Sequence, residues 1–316
     1  MNIISASRRT DIPKFHASWF MERVREGRAA YRNPFSGQVH EVSLRPEDVR
    51  AIVFWSKDYR PLERHLDELD RRGFRCCFQF TITGLPKIFE ERVPDVDTSI
   101  ETARRLAARP SPAHVQWRFD PLVLSGATGP EETVRRFERL ARMLEGATTR
   151  CTISFMEFYA KVKRNLVPLE TAHDLQFRDP GIEEKRELAA RLAAIAVGHG
   201  IALVSCCNDA LIGKGDGWEV GKARCVDASL LAALFPDRAA PPEAGPTRED
   251  CGCALSRDIG AYDTCPHGCF YCYANANQDL ARRRHAAQDP GALALGEARG
   301  HPPAARTPRA RNVTRA

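Results

Sequence analysis

The residues with the clearest chemical meaning lie near the carboxyl end, in the run Cys265-Pro266-His267-Gly268-Cys269-Phe270-Tyr271-Cys272. Three thiols spaced by three and then two residues, in a tight loop containing Gly268, can converge on one metal centre. Three thiolates suit three irons of a cubane [4Fe–4S] cluster and leave the fourth iron open to a substrate or cofactor. A site of four thiolates has no such opening. Structural zinc needs four ligands and usually takes them as paired Cys-x2-Cys or Cys/His sets. His267, inside the loop, offers a fourth donor, so zinc stands as the alternative to iron–sulfur.

The chain holds eleven cysteines, and five of them fall between 251 and 272. Its first residues lack the basic lead, apolar stretch and cleavage site of a secretory signal, so a cytoplasmic location is expected. Disulfides are then not expected, and clustered thiols read as metal ligands. A second set is Cys206 or Cys207 with Cys225, Cys251 and Cys253. Cys251-Gly252-Cys253 needs only a tight turn to present two thiolates, and four would make a closed auxiliary [4Fe–4S] or structural zinc site. The alternative is that Cys225 and one of the adjacent pair are buried thiols. Cys76, Cys77 and Cys151 lie in apolar runs and read as core.

The elements that must position these groups follow from periodicity. Short β-rich apolar runs at 3–6, 51–55, 76–82, 115–119, 151–155 and 201–205 alternate with helical candidates near 15–27, 60–72, 97–108, 130–145 and 182–198. Val134, Phe137, Leu140, Ala141 and Leu144 keep one apolar face at helical spacing. Gly73 and Gly200 each stand where a helix should end before a strand. Six strand–helix alternations predict an α/β fold with a parallel sheet, in a full or partial (β/α) barrel. Ligands of such folds bind at the carboxyl ends of the strands. Polar residues recur there: Arg8, Arg9, Thr10 and Asp11; Ser56 and Lys57; Gln79 and Thr81; Arg118 and Asp120; Ser154 and Glu157; Cys206 and Cys207. They suggest one polar mouth. Arg9, Asp11, Arg118 and Asp120 are its catalytic candidates, since paired guanidiniums suit an anionic group such as a carboxylate. The structural alternative for the arginines is an ion pair with Asp11 or Asp120.

Residues 1–209 thus read as a barrel-like catalytic domain and 210–250 as a Gly/Pro-rich connector, loop-like over 213–221, with a short helix at 228–235. Residues 251–286 read as a cysteine-rich segment completing the domain, with a helix near 275–286, and 287–316 as a disordered Arg-rich tail. The formal charge is +6, from 47 basic and 41 acidic residues. Residues 281–316 hold eight Arg and two acids, and 8 − 2 = +6, so the rest of the chain balances to zero. A broad phosphate-binding face is therefore not expected, and contact with nucleic acid would be weak and confined to the tail. No apolar run reaches the ~18 residues a membrane helix needs, so no membrane partner is expected.

The x3/x2 cysteine spacing, with aromatic Tyr271 before the last Cys, resembles the signature of the radical S-adenosylmethionine superfamily. The resemblance implies a [4Fe–4S] cluster on Cys265, Cys269 and Cys272 and S-adenosylmethionine at the open iron. It also implies Tyr271 near the adenine, a flavodoxin- or ferredoxin-type electron donor, and hydrogen abstraction from an organic substrate. That superfamily carries its motif after the first barrel strand, whereas here six strand-like runs precede it. Residues 258–264 would then be a displaced first strand and the domain a circular permutation. There is no Gly-Gly-Glu-like strand end for the amino group of S-adenosylmethionine; Glu157, Asp120 or Asp11 would substitute. The chain to about residue 290 also resembles an uncharacterised bacterial family, domain-of-unknown-function family 1848. The resemblance lies in Ser5-Ala6-Ser7-Arg8-Arg9-Thr10-Asp11-Ile12-Pro13, Arg32-Asn33-Pro34-Phe35, Ile52-Val53-Phe54-Trp55-Ser56-Lys57, Trp117-Arg118-Phe119-Asp120-Pro121 and Cys251-Gly252-Cys253.

Overall fold

Strands buried on both faces read as unbroken apolar runs, because neither side of the pleat meets water. That is why 51–55 and 76–82 announce themselves so clearly. In the computed structural model, which describes residues 1–238 and 244–298, these runs form the centre of a nine-stranded sheet. The strands are β1 (Asn2–Ala6), β2 (Arg28–Arg32), β3 (Val39–Ser43), β4 (Val49–Ser56), β5 (Cys76–Thr81), β6 (Val115–Leu122), β7 (Arg150–Phe155), β8 (Ala202–Ser205), β9 (Gly213–Gly215), β10 (Trp218–Lys222) and β11 (Arg257–Asp258). The helices are α1 (Ile12–Phe15), α2 (Ala17–Glu26), α3 (Arg60–Glu63), α4 (Leu66–Arg71), α5 (Val96–Ala108), α6 (Pro130–Leu144), α7 (Ala160–His173), α8 (Ile182–Gly198), α9 (Ala228–Leu234) and α10 (Gln278–Ala287).

The sheet order is β11-β1-β4-β5-β6-β7-β8-β10-β9, parallel throughout except for the antiparallel β10–β9 pair. The six predicted strands and the helices between them are all present. Of the expected full or partial barrel, the α/β class and the mostly parallel sheet are present, but the sheet is open and not closed into a full barrel. Its edges are the two-residue β11 and the three-residue β9, which do not pair with each other. The 213–221 segment, expected as a loop, is instead the β9–β10 hairpin, with β10 adding in parallel to β8. Helix α7 was not legible because Pro168 lies inside it and its buried face is only Val162, Leu166 and Leu169. The hairpin β2–β3 forms a separate two-stranded sheet.

The pleat sorts residues into two layers. Ile4, Ile52, Phe54, Phe78, Phe80, Trp117 and Phe119 face a core closed by α2, α5, α6 and α8. Phe137 stacks on Trp117 at 4.9 Å between ring centroids and meets Phe119 edge-on at 5.1 Å. Each such buried side chain contributes roughly 1.5–3 kcal/mol. The opposite face, Ile3, Ala51, Val53 and Cys77, is covered by Val226, Leu231, Phe235 and Ala254. Cys77 and Cys151 are core residues, and Cys76 is half-buried against the helical layer.

Residues 288–298, placed in the tail on composition, pack back on the body. Trp19 Nε1 donates to the Ala292 carbonyl at 2.7 Å, the Ala30 amide to Leu293 at 2.8 Å, and Ala294 and Leu295 are buried. Most of the expected Arg-rich tail, 299–316, and part of the Gly/Pro-rich connector, 239–243, lie outside the described residues. Among the described residues no helix is long and apolar enough to cross a membrane.

The turn after β4 is pinned by Asp58, a buried carboxylate that accepts from Lys14 Nζ at 2.6 Å and Arg60 Nη2 at 2.7 Å. Burial opposes its charge, but the Arg60 and Lys14 contacts override burial and bring its pKa down from 3.8 to about 2. The folded value lies below the unfolded one, so the stabilisation is complete above about pH 4 and fades as pH falls toward 2. Asp58→Asn should therefore cost about 2 kcal/mol near pH 7 and about half that at pH 3. Urea unfolding at both pH values checks this; a difference that does not shrink in acid would contradict it.

Candidate functional site

The two residues of β11 lead directly into the cysteine loop. Ile4 pairs with Arg257 and Ser5 with Asp258, in parallel, so the chain leaves β11 at the carboxyl edge of the sheet. Asp258 fixes that exit. Its carboxylate accepts from Ser5 Oγ at 2.9 Å, Ser7 Oγ at 2.6 Å, the Arg8 amide at 2.8 Å and the Gly260 amide at 3.0 Å. Arg9 Nε lies 3.8 Å away. Gly260 is required by the same contact, since a Cβ there would sit 2.0 Å from Ser7 Oγ. Gly260→Ala should destabilise the protein by about 1–3 kcal/mol through overpacking. An unchanged urea midpoint would show that the strand end can shift freely.

The loop is held from three further strand ends. Asp11, at the start of α1, accepts from His267 Nε2 at 2.7 Å, Ser56 Oγ at 2.7 Å, and the Lys57 and Lys14 amides, each at 2.9 Å. The Arg92 amide donates to the His267 carbonyl at 2.9 Å, and the Phe270 amide to Phe89 at 3.1 Å. Glu90, buried after β5, accepts from Lys57 Nζ at 2.8 Å, from Thr83 Oγ1 at 2.7 Å and from the Tyr271 hydroxyl. From the α10 side, Asn275 Nδ2 donates to the Cys265 carbonyl at 2.7 Å and Gln278 Nε2 to the Cys269 carbonyl at 2.9 Å. Gly268 has φ 79°, a left-handed turn that glycine tolerates, and a Cβ there would meet Glu91 Cβ at 3.0 Å.

This scaffold sets the electrostatics. Burial disfavours charge on both Lys57 and Glu90, but their mutual contact overrides it, raising the lysine and lowering the carboxyl. Burial, then Glu90, push the Tyr271 hydroxyl well up. Burial raises Cys265, Cys269 and Cys272 above an ordinary thiol; Lys57 opposes this at Cys269, and Lys161 and Lys57 do so at Cys272. At Cys265 the next contribution after burial is the Asp11 charge, followed by those of Cys272 and Cys269, all raising the thiol. The Ala274 amide donates to Cys272 Sγ at 3.3 Å.

Three soft donors on one glycine-turned loop, with amide and lysine charge beside them, fit a thiolate-bound iron cluster by donor chemistry. Among the described residues no group of three or more His, Cys, Asp or Glu is arranged, as it stands, to hold a single metal ion. A cubane does not require that convergence, since each of its thiolates meets a different iron. His267, the alternative fourth donor, has Nε2 committed to Asp11 and leaves only Nδ1, which is buried without a partner.

The other expected residues fall as follows. Arg118 and Asp120 form an ion pair with each other, and Ser154 Oγ also donates to Asp120. Arg118 Nη1 donates to Cys225 Sγ at 3.1 Å, and the guanidinium lies 5.2 Å from the Trp55 ring centroid. Arg9 lies 5.7 Å from the Tyr262 ring and is half-buried. Glu157 is exposed, with no hydrogen bond or ion pair to its carboxylate among the described residues. Cys206, Cys225 and the Cys251/Cys253 pair, from three separate segments, come together on the face of the sheet opposite the helical core. Asp258 and Glu90 carry the loop but were missed as site residues. Their only sequence signals are an acid in a short apolar run and a 14-residue connection from β5 to α5, longer than most loops.

Fold and site together define an α/β protein with an open, mostly parallel sheet whose carboxyl edge carries two groups of free cysteines. The chain belongs to the family described as domain of unknown function DUF1848, which it matches over residues 3–274. No curated protein matches it.

Proposed function

We propose that this protein is a radical S-adenosylmethionine-type iron–sulfur enzyme, with Cys265, Cys269 and Cys272 as ligands of a [4Fe–4S] cluster. The observation that carries the proposal is β11: a strand parallel to β1 at the sheet edge, running straight into the three-cysteine loop and then into α10. That is the strand–loop–helix order of the superfamily, displaced to the end of the chain, so a circularly permuted partial barrel is the finer reading of the open sheet. When bound, such a cluster would supply one electron for reductive cleavage of S-adenosylmethionine and so permit hydrogen abstraction from a substrate.

The chain's own residues divide the remaining work. Asp11 and Glu90 orient the loop through His267 and Tyr271. Asp11 accepts four hydrogen bonds and Asp120 is paired with Arg118 and Ser154, so neither is free to take a substrate ammonium. Glu157 is the candidate for the amino group of S-adenosylmethionine, because its carboxylate is unengaged. Tyr271 would flank the adenine with its ring while its hydroxyl stays on Glu90. Arg9 would take an anionic group of a polar substrate, while Arg118 acts through its neighbours. A flavodoxin- or ferredoxin-type protein would supply the electron.

The test is product formation. Protein purified without oxygen, reduced with dithionite and given S-adenosylmethionine should yield 5′-deoxyadenosine, and Glu157→Gln should raise the KM for S-adenosylmethionine more than it lowers kcat. An intact cluster that yields no 5′-deoxyadenosine would favour an electron-transfer or sensing role. Zinc in place of iron at the loop would end the proposal.

A further inference from the structure

Five cysteines from three separate segments meet on the face of the sheet opposite the helical core, in a packing cluster that does not include the loop at 265–272. Cys206 and Cys207 follow β8, Cys225 follows β10, and Cys251 and Cys253 flank Gly252. Cys206 Sγ lies 3.3 Å from Cys225 Sγ and 3.7 Å from Cys207 Sγ. Cys206, Cys225 and Cys253 are all buried, with the Val226 amide donating to Cys253 Sγ at 3.4 Å.

Three features distinguish this group from ordinary core thiols. Successive side chains of an extended segment point to opposite sides, so neighbours rarely share a target. Cys207 breaks that rule with φ 52°, a left-handed conformation costly for a residue with a Cβ, and its sulfur thereby joins that of Cys206. Positive charge also gathers on the sulfurs. Arg118 Nη1 lies 3.1 Å from Cys225 Sγ, and Arg248 Nη2 lies 3.8 Å from Cys206 Sγ. Arg8, stacked 5.1 Å from the Trp55 ring, has a buried Nη2 with no partner. Neutral thiols need no such company, whereas thiolates on a metal carry net negative charge. Finally, the two sulfur separations centred on Cys206 approach those of a mononuclear centre, although the group as it stands does not yet enclose an ion. With Zn–S bonds of about 2.3 Å, the edge of a tetrahedron of sulfurs is ~3.8 Å. The Cys206–Cys207 separation already matches it, and the Cys206–Cys225 pair must open by about 0.5 Å, from 3.3 to ~3.8 Å, before an ion fits between the sulfurs. A cubane spreads its thiolates further apart.

We infer that Cys206, Cys207, Cys225 and Cys253 hold one metal ion of the zinc class, in a site separate from the three-cysteine loop. The ion ties the ends of β8 and β10 to the 244–254 segment, and Arg118 links Cys225 to Asp120 at the end of β6. Cys251, half-buried and bonded by Thr247 at 3.5 Å, lies outside this ligand set.

The test uses the full chain. In Cys265→Ala/Cys269→Ala/Cys272→Ala, native mass spectrometry and elemental analysis should still find about one zinc per chain. Replacing it with Co2+ should give strong thiolate charge-transfer absorption and the visible bands of a tetrahedral ion. In Cys206→Ser/Cys225→Ser/Cys253→Ser the zinc and the Co2+ bands should be lost while the loop keeps its iron; Cys251→Ser should keep both metals. If the serine variant does not fold, the wild-type zinc content and Co2+ spectrum decide alone. The inference is overturned by absence of zinc from the loop variant, by cluster-type iron absorption persisting there, by loss of zinc in Cys251→Ser, or by peptide mapping that joins Cys206 to Cys225 as a disulfide. Failure of the loop to bind iron would leave the zinc and Co2+ outcomes, which alone decide the inference, unchanged.

Discussion

In protein reconstituted without oxygen, Cys269→Ala is expected to take loop-bound iron from about four atoms per chain toward none. It should also reduce 5′-deoxyadenosine formation by more than about 100-fold. The reason is stoichiometric. With three protein thiolates for four irons, removing one leaves two, too few to anchor a cubane. The fold should survive, because the loop's hydrogen bonds run through backbone and neighbours: Gln278 bonds the Cys269 carbonyl and Asp11 bonds His267. Circular dichroism separates the two effects, and Cys151→Ala, a change inside the helical core, should leave iron untouched. Full iron content in Cys269→Ala would show that the loop is not the cluster site.

Asp258→Ala is the second large effect, and it acts on stability. The carboxylate satisfies two hydroxyls and two backbone amides, all gathered at the junction of β1 and β11. Truncation leaves those donors facing a small cavity and removes the counter-charge beside Arg9. Losing several charged hydrogen bonds in a buried site should cost about 3–5 kcal/mol, seen as a lower urea midpoint with little change in slope. Because the same junction launches the cysteine loop, iron occupancy should fall with stability. Asp258→Asn, which keeps the shape and one acceptor, should cost less. A loss under about 1 kcal/mol for the alanine variant would mean that water replaces the carboxylate at the sheet edge.

What the sequence disclosed and what it withheld have one physical cause. Phe54, Phe78 and Trp117 belong to strands buried on both faces, so local pattern alone fixes their state. The helices between them carry one apolar stripe each. Closure of the sheet is different, since it depends on how edge strands end, and neither two-residue β11 nor the glycine-rich β9–β10 hairpin has a periodicity to detect. The cysteine loop was legible because its three cysteines are close in sequence. The grouping of Cys206, Cys225 and Cys253 was only suggested, since it is made by the return of three segments to one face. Arg118 and Asp120 read as binding candidates with an Asp120 ion pair as the structural alternative, and the ion pair is what forms; a strand-end pattern alone does not decide between the two. Glu90 was missed because its value lies in Lys57 and Tyr271, 33 and 181 residues away.

The most direct measurement is the electron paramagnetic resonance spectrum of the dithionite-reduced protein, recorded with and without S-adenosylmethionine. The proposed open iron on the 265–272 loop predicts a [4Fe–4S] signal whose g-values shift when S-adenosylmethionine is added. A signal that ignores it, or no iron signal at all, would contradict the account.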